Sequence, residues 1–210
     1  MSRVSGSRAV LAGASGFLGP LLAADLRERG YQVVLLGRRG PDVRWSDPAA
    51  LRQAVDGADL LLNLAGRSVG CRYTHAHREE VYASRVGTTR ALADAVRHAE
   101  RPPRLWLNAS TATIYRHAAD RAQTESDGEL GEGFSVDVAR DWERAFFADE
   151  TPGTRRVALR MAIVLGDGPA LTMLLRAARF GLGGPQQDGW WFPHRRYRGI
   201  GPDASGPMPR

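Results

Sequence analysis

A doubly wound α/β fold, a parallel sheet with helices on both faces, is predicted by three features of the sequence. Short apolar runs alternate with amphipathic ones, short connections join them, and a glycine-rich turn separates the first run from the second. Arg8–Ala12 reads as a short buried strand. A helix over 17–29 follows, with Leu18, Leu21, Leu22 and Leu26 at helical spacing and Gly30 where a stop belongs. Pro20 is tolerated because it falls in the first turn, where a backbone N–H has no partner in any case. Residues 31–36, rich in valine and leucine, form a second strand. Ser46-Asp47-Pro48 opens a short helix to about Val55, and 59–63 is a third strand.

Val81, Thr88, Leu92, Val96 and Ala99 line one face of a long helix over 76–99, and Pro102-Pro103 prevents its continuation. Residues 104–108 are a fourth strand, 118–133 a loop, 136–147 a helix and 156–160 a fifth strand. Asp167-Gly168-Pro169 opens a last helix that ends near Gly181. Beyond Gly183 the periodicity stops. The chain therefore divides into an α/β domain over 1–183 and an irregular tail over 184–210, rich in Pro, Gly and Arg.

Composition narrows the class. Apolar residues at 43% and charged residues at 25% are those of an ordinary globular chain, and 210 residues suffice for one substantial core. No apolar run is long enough to span a bilayer, and the first residues do not read as a secretory leader. The single cysteine, Cys71, cannot form an internal disulfide, which points to the cytoplasm. The chain has no lysine, so all 29 basic residues behind the net charge of +6 are arginines. They are interspersed with acids, as in Arg27-Glu28-Arg29 and Arg78-Glu79-Glu80, so they describe a solvated surface and not a nucleic-acid stripe. The expected partner is a small molecule, with no nucleic acid, membrane or metal, and a homo-oligomer is left open.

The segment Gly13-Ala14-Ser15-Gly16-Phe17-Leu18-Gly19 carries the chemistry. A backbone without Cβ atoms lets a diphosphate approach closely, and the following helix N-terminus offers free N–H donors. Its place at the first strand-to-helix junction of an alternating chain is the context a dinucleotide site requires, and makes the fold Rossmann-type. Where an NAD site carries an acidic residue for the ribose 2′-hydroxyl, this chain has Arg38 and Arg39. Arginine can hold the 2′-phosphate of NADP(H), so NADP is the expected cofactor and NAD the lesser choice.

These stretches resemble the extended short-chain dehydrogenases, the group of NAD(P)-dependent epimerases and dehydratases. The likeness is greatest to bacterial epimerase-family proteins with a C-terminal domain of unknown function. It continues through Asn63-Leu64-Ala65-Gly66, Ser84-Arg85-Val86-Gly87-Thr88-Thr89, Ser110-Thr111-Ala112-Thr113-Ile114-Tyr115 and Thr124-Glu125. It ends with the run from Arg160 to Gly166 and Gly181-Leu182-Gly183-Gly184-Pro185. The resemblance implies that Leu64, Ala65 and Gly66 line the adenosine side of the cofactor and that Ala162 and Ile163 pass the nicotinamide. It implies that Ser110 lies by the cofactor and that Thr111 is the catalytic Ser/Thr. Tyr115 is a second candidate for catalysis, or a tyrosine packed at a strand end, and Arg85 is either a cofactor or substrate contact or an ordinary helix-face residue.

Two departures from the family pattern stand out. The family's Tyr-x-x-x-Lys pair is absent, because the corresponding segment reads Gly133-Phe134-Ser135-Val136-Asp137-Val138-Ala139-Arg140 and no lysine exists elsewhere. The substrate lobe is also largely missing, since relatives continue past Gly-Gly-Pro and this chain runs through irregular sequence. Trp190, Trp191 and Phe192 are then expected to be exposed anchors. Three readings follow: an NADP(H)-dependent epimerase-like oxidoreductase, an NADP(H)-sensing binding module, and a truncated inactive fragment.

Overall fold

The computed structural model describes residues 6–39, 42–118, 120–162, 164, 166 and 168–180. The chain resolves into two compact units, Met1–Ala162 and Ile163–Arg210. The first holds a six-stranded, wholly parallel sheet of β1 (Arg8–Ala12), β2 (Gln32–Gly37), β3 (Val43–Arg44), β4 (Leu60–Asn63), β5 (Leu105–Thr111) and β6 (Arg155–Met161). Its order, β3-β2-β1-β4-β5-β6, reverses direction between β1 and β4, where open α/β sheets bind their ligands. The helices of this unit are α1 (Leu18–Glu28), α2 (Pro48–Val55), α3 (His75–Tyr82), α4 (Thr88–Arg97) and α5 (Phe134–Phe147). In the second unit the described residues form α6 (Pro169–Arg179). The domain boundary read at 183/184 lies outside the described residues, as do Trp190, Trp191 and Phe192.

The central strands are apolar on both sides because both sides are covered. Val10, Leu36, Leu61 and Trp106 pack with Leu51 and Val55 of α2, Leu92 and Val96 of α4 and Phe146 of α5. Leu11 and Leu62 on the opposite face pack with Leu22 and Ala23 of α1. Trp106 and Phe146 meet edge to face, with ring centroids 4.8 Å apart. Asp47 caps α2 through its carboxylate and the Ala50 N–H, 2.9 Å, and Pro48 takes the first helical position.

The sheet has one strand more than the five read from the sequence. Val43–Arg44 pairs with Leu36 and Gly37 at the edge, and two residues are too few to leave a periodic signal. A second correction concerns the helix read over 76–99. A π turn at Ala83–Gly87 divides it into α3 and α4 and shifts the phase by one residue. Continuous spacing from Val81 puts Thr88 inward, whereas Thr89 is the fully buried one; the Thr88 hydroxyl donates to the Ser84 carbonyl, 2.8 Å.

Candidate functional site

The glycine turn joins β1 to α1. Its first member, Gly13, has a φ of +81°, and a Cβ there would sit 2.6 Å from the Leu64 carbonyl carbon and 2.7 Å from the Ala65 nitrogen. Gly13 is therefore fixed by the approach of the loop that follows β4. A Cβ on Gly19 would run into the backbone of Ala14, so this glycine lets α1 close against the turn. Gly16 differs from both. It is exposed, its φ is not in the left-handed region, and a Cβ would meet only the Gly13 oxygen at an ordinary 3.6 Å. Nothing inside the protein demands a glycine at 16. Ser15 is exposed beside it, and Phe17 and Leu18 are half-buried at the helix start. Among the described residues no side chain caps α1 and its first turn has no acidic residue; the Gly19 N–H turns back to the Gly16 carbonyl at 3.2 Å and Pro20 has none, so the donors left at this end are those of Phe17 and Leu18.

The loop after β4 is held from behind by a buried polar network. Asn63 and Asn108 sit opposite each other on β4 and β5, with Asn63 Nδ2 donating to Asn108 Oδ1 over 2.7 Å and to Thr89 Oγ1 over 3.2 Å. Asn63 Oδ1 accepts from the Ala65 N–H, 3.0 Å, and the Trp142 indole donates to Thr89 Oγ1, 2.9 Å. Leu64 and Ala65 are thereby pinned where Gly13 meets them, while Gly66 stays exposed. Arg85, in the π turn, lies under Gly66. Its Nη1 donates to the Val81 carbonyl at 3.1 Å, its Nη2 to the Arg67 carbonyl at 3.0 Å, and its guanidinium lies over the Trp142 ring at 5.4 Å.

A different cluster closes the ends of β5 and β6. The buried Ser110 hydroxyl donates to Glu143 Oε1 of α5, 2.6 Å. Glu143 accepts from one edge of the Arg160 guanidinium, Nε at 2.9 Å and Nη2 at 2.8 Å, a two-point fork. Arg160 Nη1 then donates to the Tyr115 hydroxyl, 2.7 Å, and its guanidinium lies over the Tyr115 ring. Burial acts to raise the Glu143 pKa, but the bonds from Arg160 and Ser110 outweigh it and hold the carboxyl below its usual range. Arg160 is raised, chiefly by its bond to Glu143. Thr111, partly exposed at the end of β5, accepts from the Thr113 N–H at 3.2 Å and shares a hydrogen bond with the Thr113 hydroxyl.

Arg38 and Arg39 follow β2 directly, and both are exposed. Among the described residues neither has an ion-pair partner. Ala162 directly follows β6, and Ile163 lies outside the described residues. The structure thus groups Gly13 to Gly19 with Leu64–Gly66 and Arg85, and separately joins Ser110 to Tyr115 through Glu143 and Arg160. Glu143, Arg160, Asn63, Asn108, Thr89 and Trp142 were not singled out from the sequence. The signal for two of them was an asparagine directly after an apolar run, Asn63 at the end of β4 and Asn108 in the middle of β5.

With this geometry in place, the chain can be set beside known proteins. A model described as the NAD dependent epimerase/dehydratase family matches residues 9–168. The chain belongs to that family. The epimerase family protein SDR39U1 of Bos taurus is 34% identical over 194 residues, covering 88% of this chain and 64% of the relative. YfhF of Bacillus subtilis, also described as an epimerase family protein, is 29% identical over 183 residues, 83% of this chain and 60% of the relative. The crystal structure of human SDR39U1 with NADPH superposes at a TM-score of 0.75 and 32% identity, over 85% of this chain and 61% of that one. The nucleoside-diphosphate sugar epimerase from Corynebacterium glutamicum superposes at 0.71 and 31% identity, over 88% of this chain and 39% of that one. This chain spans less than two thirds of the length of these relatives.

Proposed function

We propose that this member of the family is an NADP(H)-binding, epimerase-like oxidoreductase acting on a small carbonyl or hydroxyl compound of sugar-like kind. The observation that carries the reading is Gly16, a bare and exposed position that no internal contact requires, set before an uncapped helix. That is a cradle for a diphosphate. The solved relative holding NADPH supports it. Gly13, Ser15, Gly16, Phe17, Leu18 and Gly19 would hold the diphosphate, Leu64, Ala65 and Gly66 the adenosine side, and Arg38 with Arg39 the 2′-phosphate. When bound, a nicotinamide dinucleotide supplies hydride transfer. Thr111 would hydrogen-bond the substrate oxygen from the strand end, with Tyr115 the second candidate hydroxyl. No helix among the described residues is long and apolar enough to cross a membrane, and the one cysteine is unpaired, which fits work in a reducing cytoplasm.

A second reading is a non-catalytic NADP(H) sensor. One observation favours it: the Ser110 and Tyr115 hydroxyls are both engaged by the Glu143–Arg160 pair, and no lysine stands in for the family's proton relay. Titrating NADPH and NADH against tryptophan fluorescence tests the common ground of both readings. NADPH is expected to bind at least tenfold tighter, and Arg38→Ala to lose that preference; equal affinities in the wild type would remove the role given to Arg38. Following NADPH absorbance with a panel of aldehydes and ketones then separates turnover from sensing.

A further inference from the structure

Among the described residues Arg85 is a partly buried cation without a counterion: its two hydrogen bonds go to neutral carbonyls, and no carboxylate lies within ion-pairing distance. Arg67 pairs with Glu80 and Arg160 with Glu143, whereas Arg85, like Arg156, donates to carbonyls alone. Burial pushes the Arg85 pKa down, as expected for a guanidinium taken from water without an opposing charge. Such a cation is costly unless an anion completes it. A second observation is independent. Gly66 has a backbone conformation open to any residue, yet a Cβ there would stand 3.3 Å from the Arg85 guanidinium carbon and from Nη2. An added Cβ at 66 would press on the guanidinium, which must give by a few tenths of an ångström to admit it, and Gly66 itself is exposed.

We propose that Arg85 is an oxyanion-binding residue of the substrate site, taking a carboxylate or phosphate borne by the substrate beneath Gly66. Three of its five N–H donors remain for that group. The proposal rests on the reading above in one respect. The dinucleotide's diphosphate is assigned to the glycine turn, so the anion at Arg85 belongs to the second molecule.

The test uses the full chain and inorganic phosphate or malonate as probes, read by melting temperature at constant ionic strength, with and without saturating NADPH. Either probe should stabilise the NADPH-loaded wild type. Arg85→Met, which keeps the aliphatic stem, and Gly66→Ala, which covers the guanidinium and keeps its charge, should each weaken that response tenfold or more. NADPH affinity should stay within twofold in Arg85→Met. Arg85→Lys should retain part of the response. A wild type that ignores both anions would overturn the proposal, and so would a Met variant that responds like the wild type. Tenfold loss of NADPH affinity in Arg85→Met would overturn it in favour of a cofactor contact. If the wild type fails to bind NADPH but shows Arg85-dependent anion binding, the oxyanion site stands and the cofactor reading falls.

Discussion

Two regions at the carboxyl ends of the strands are built on opposite plans. Around β1 and β4 the site is made of backbone, with Gly13 and Gly19 closed against their neighbours and the N–H groups of α1 left uncapped. Around β5 and β6 it is made of side chains, and Ser110, Glu143, Arg160 and Tyr115 bond to one another in sequence. The first region has donors to offer a ligand. The second has spent most of its donors on itself, with Thr111 half-buried at the strand end outside that series of bonds. On the function proposed above, binding and chemistry would be separable, and recognition of a dinucleotide would not depend on the integrity of a proton relay.

The largest effect that should sharpen this contrast comes from the glycine turn. Gly13→Val adds a left-handed strain and a backbone clash, together worth about 4 kcal/mol, and should show as a large loss of the urea midpoint. Gly16→Val, three residues on, should leave the midpoint almost unmoved and abolish NADPH binding. If the two variants behave alike, the division between packing glycines and a ligand-facing glycine fails. Next is Thr89→Val, which strips the Asn63 amide and the Trp142 indole of a shared acceptor and should cost about 2 kcal/mol by urea denaturation.

Glu143→Gln removes the charge that compensates Arg160. Because the pair is partly exposed, with side chains 14% and 25% accessible, the expected cost is about 1.5 kcal/mol, below that of a fully buried pair. NADPH affinity should not change, since this region is outside the diphosphate cradle; a large loss would break the separation. The smallest effect is the pH dependence of that same cost. The folded carboxyl is held below its usual range, so its contribution is present above the unfolded carboxylate pKa and is lost as pH falls through the folded value. The stability gap between wild type and Glu143→Gln should therefore close in acid, as urea curves at neutral and low pH would record.

Much of the backbone-built region was legible in the sequence. A glycine pattern states its own conformation, and its place between an apolar run and a helical one is a local fact. The five strands read from the sequence and the last helix were legible for the same reason, within a residue or two at their ends except that β5 runs three residues past Asn108. The side-chain region was not. Glu143 and Arg160 are 17 residues apart, Trp142 and Thr89 are 53 apart, and no periodicity links such partners. Arg160 reads in sequence only as the last residue of a strand, with no partner indicated. Only the pairing of β5 with β6, which sets Ser110 opposite Arg160, brings it to Glu143.

The turn at Ala83–Gly87 has a consequence for how the chain tolerates change in length. Deleting one residue there would make the segment a more regular α-helix and raise its intrinsic helicity. It would also swing everything downstream by about 100° around the axis. Thr89 would leave the indole and amide it serves, and a side chain never meant for the interior would take its seat. Here the irregular form is the one the rest of the protein is fitted to, and a tidier helix would make a poorer fold.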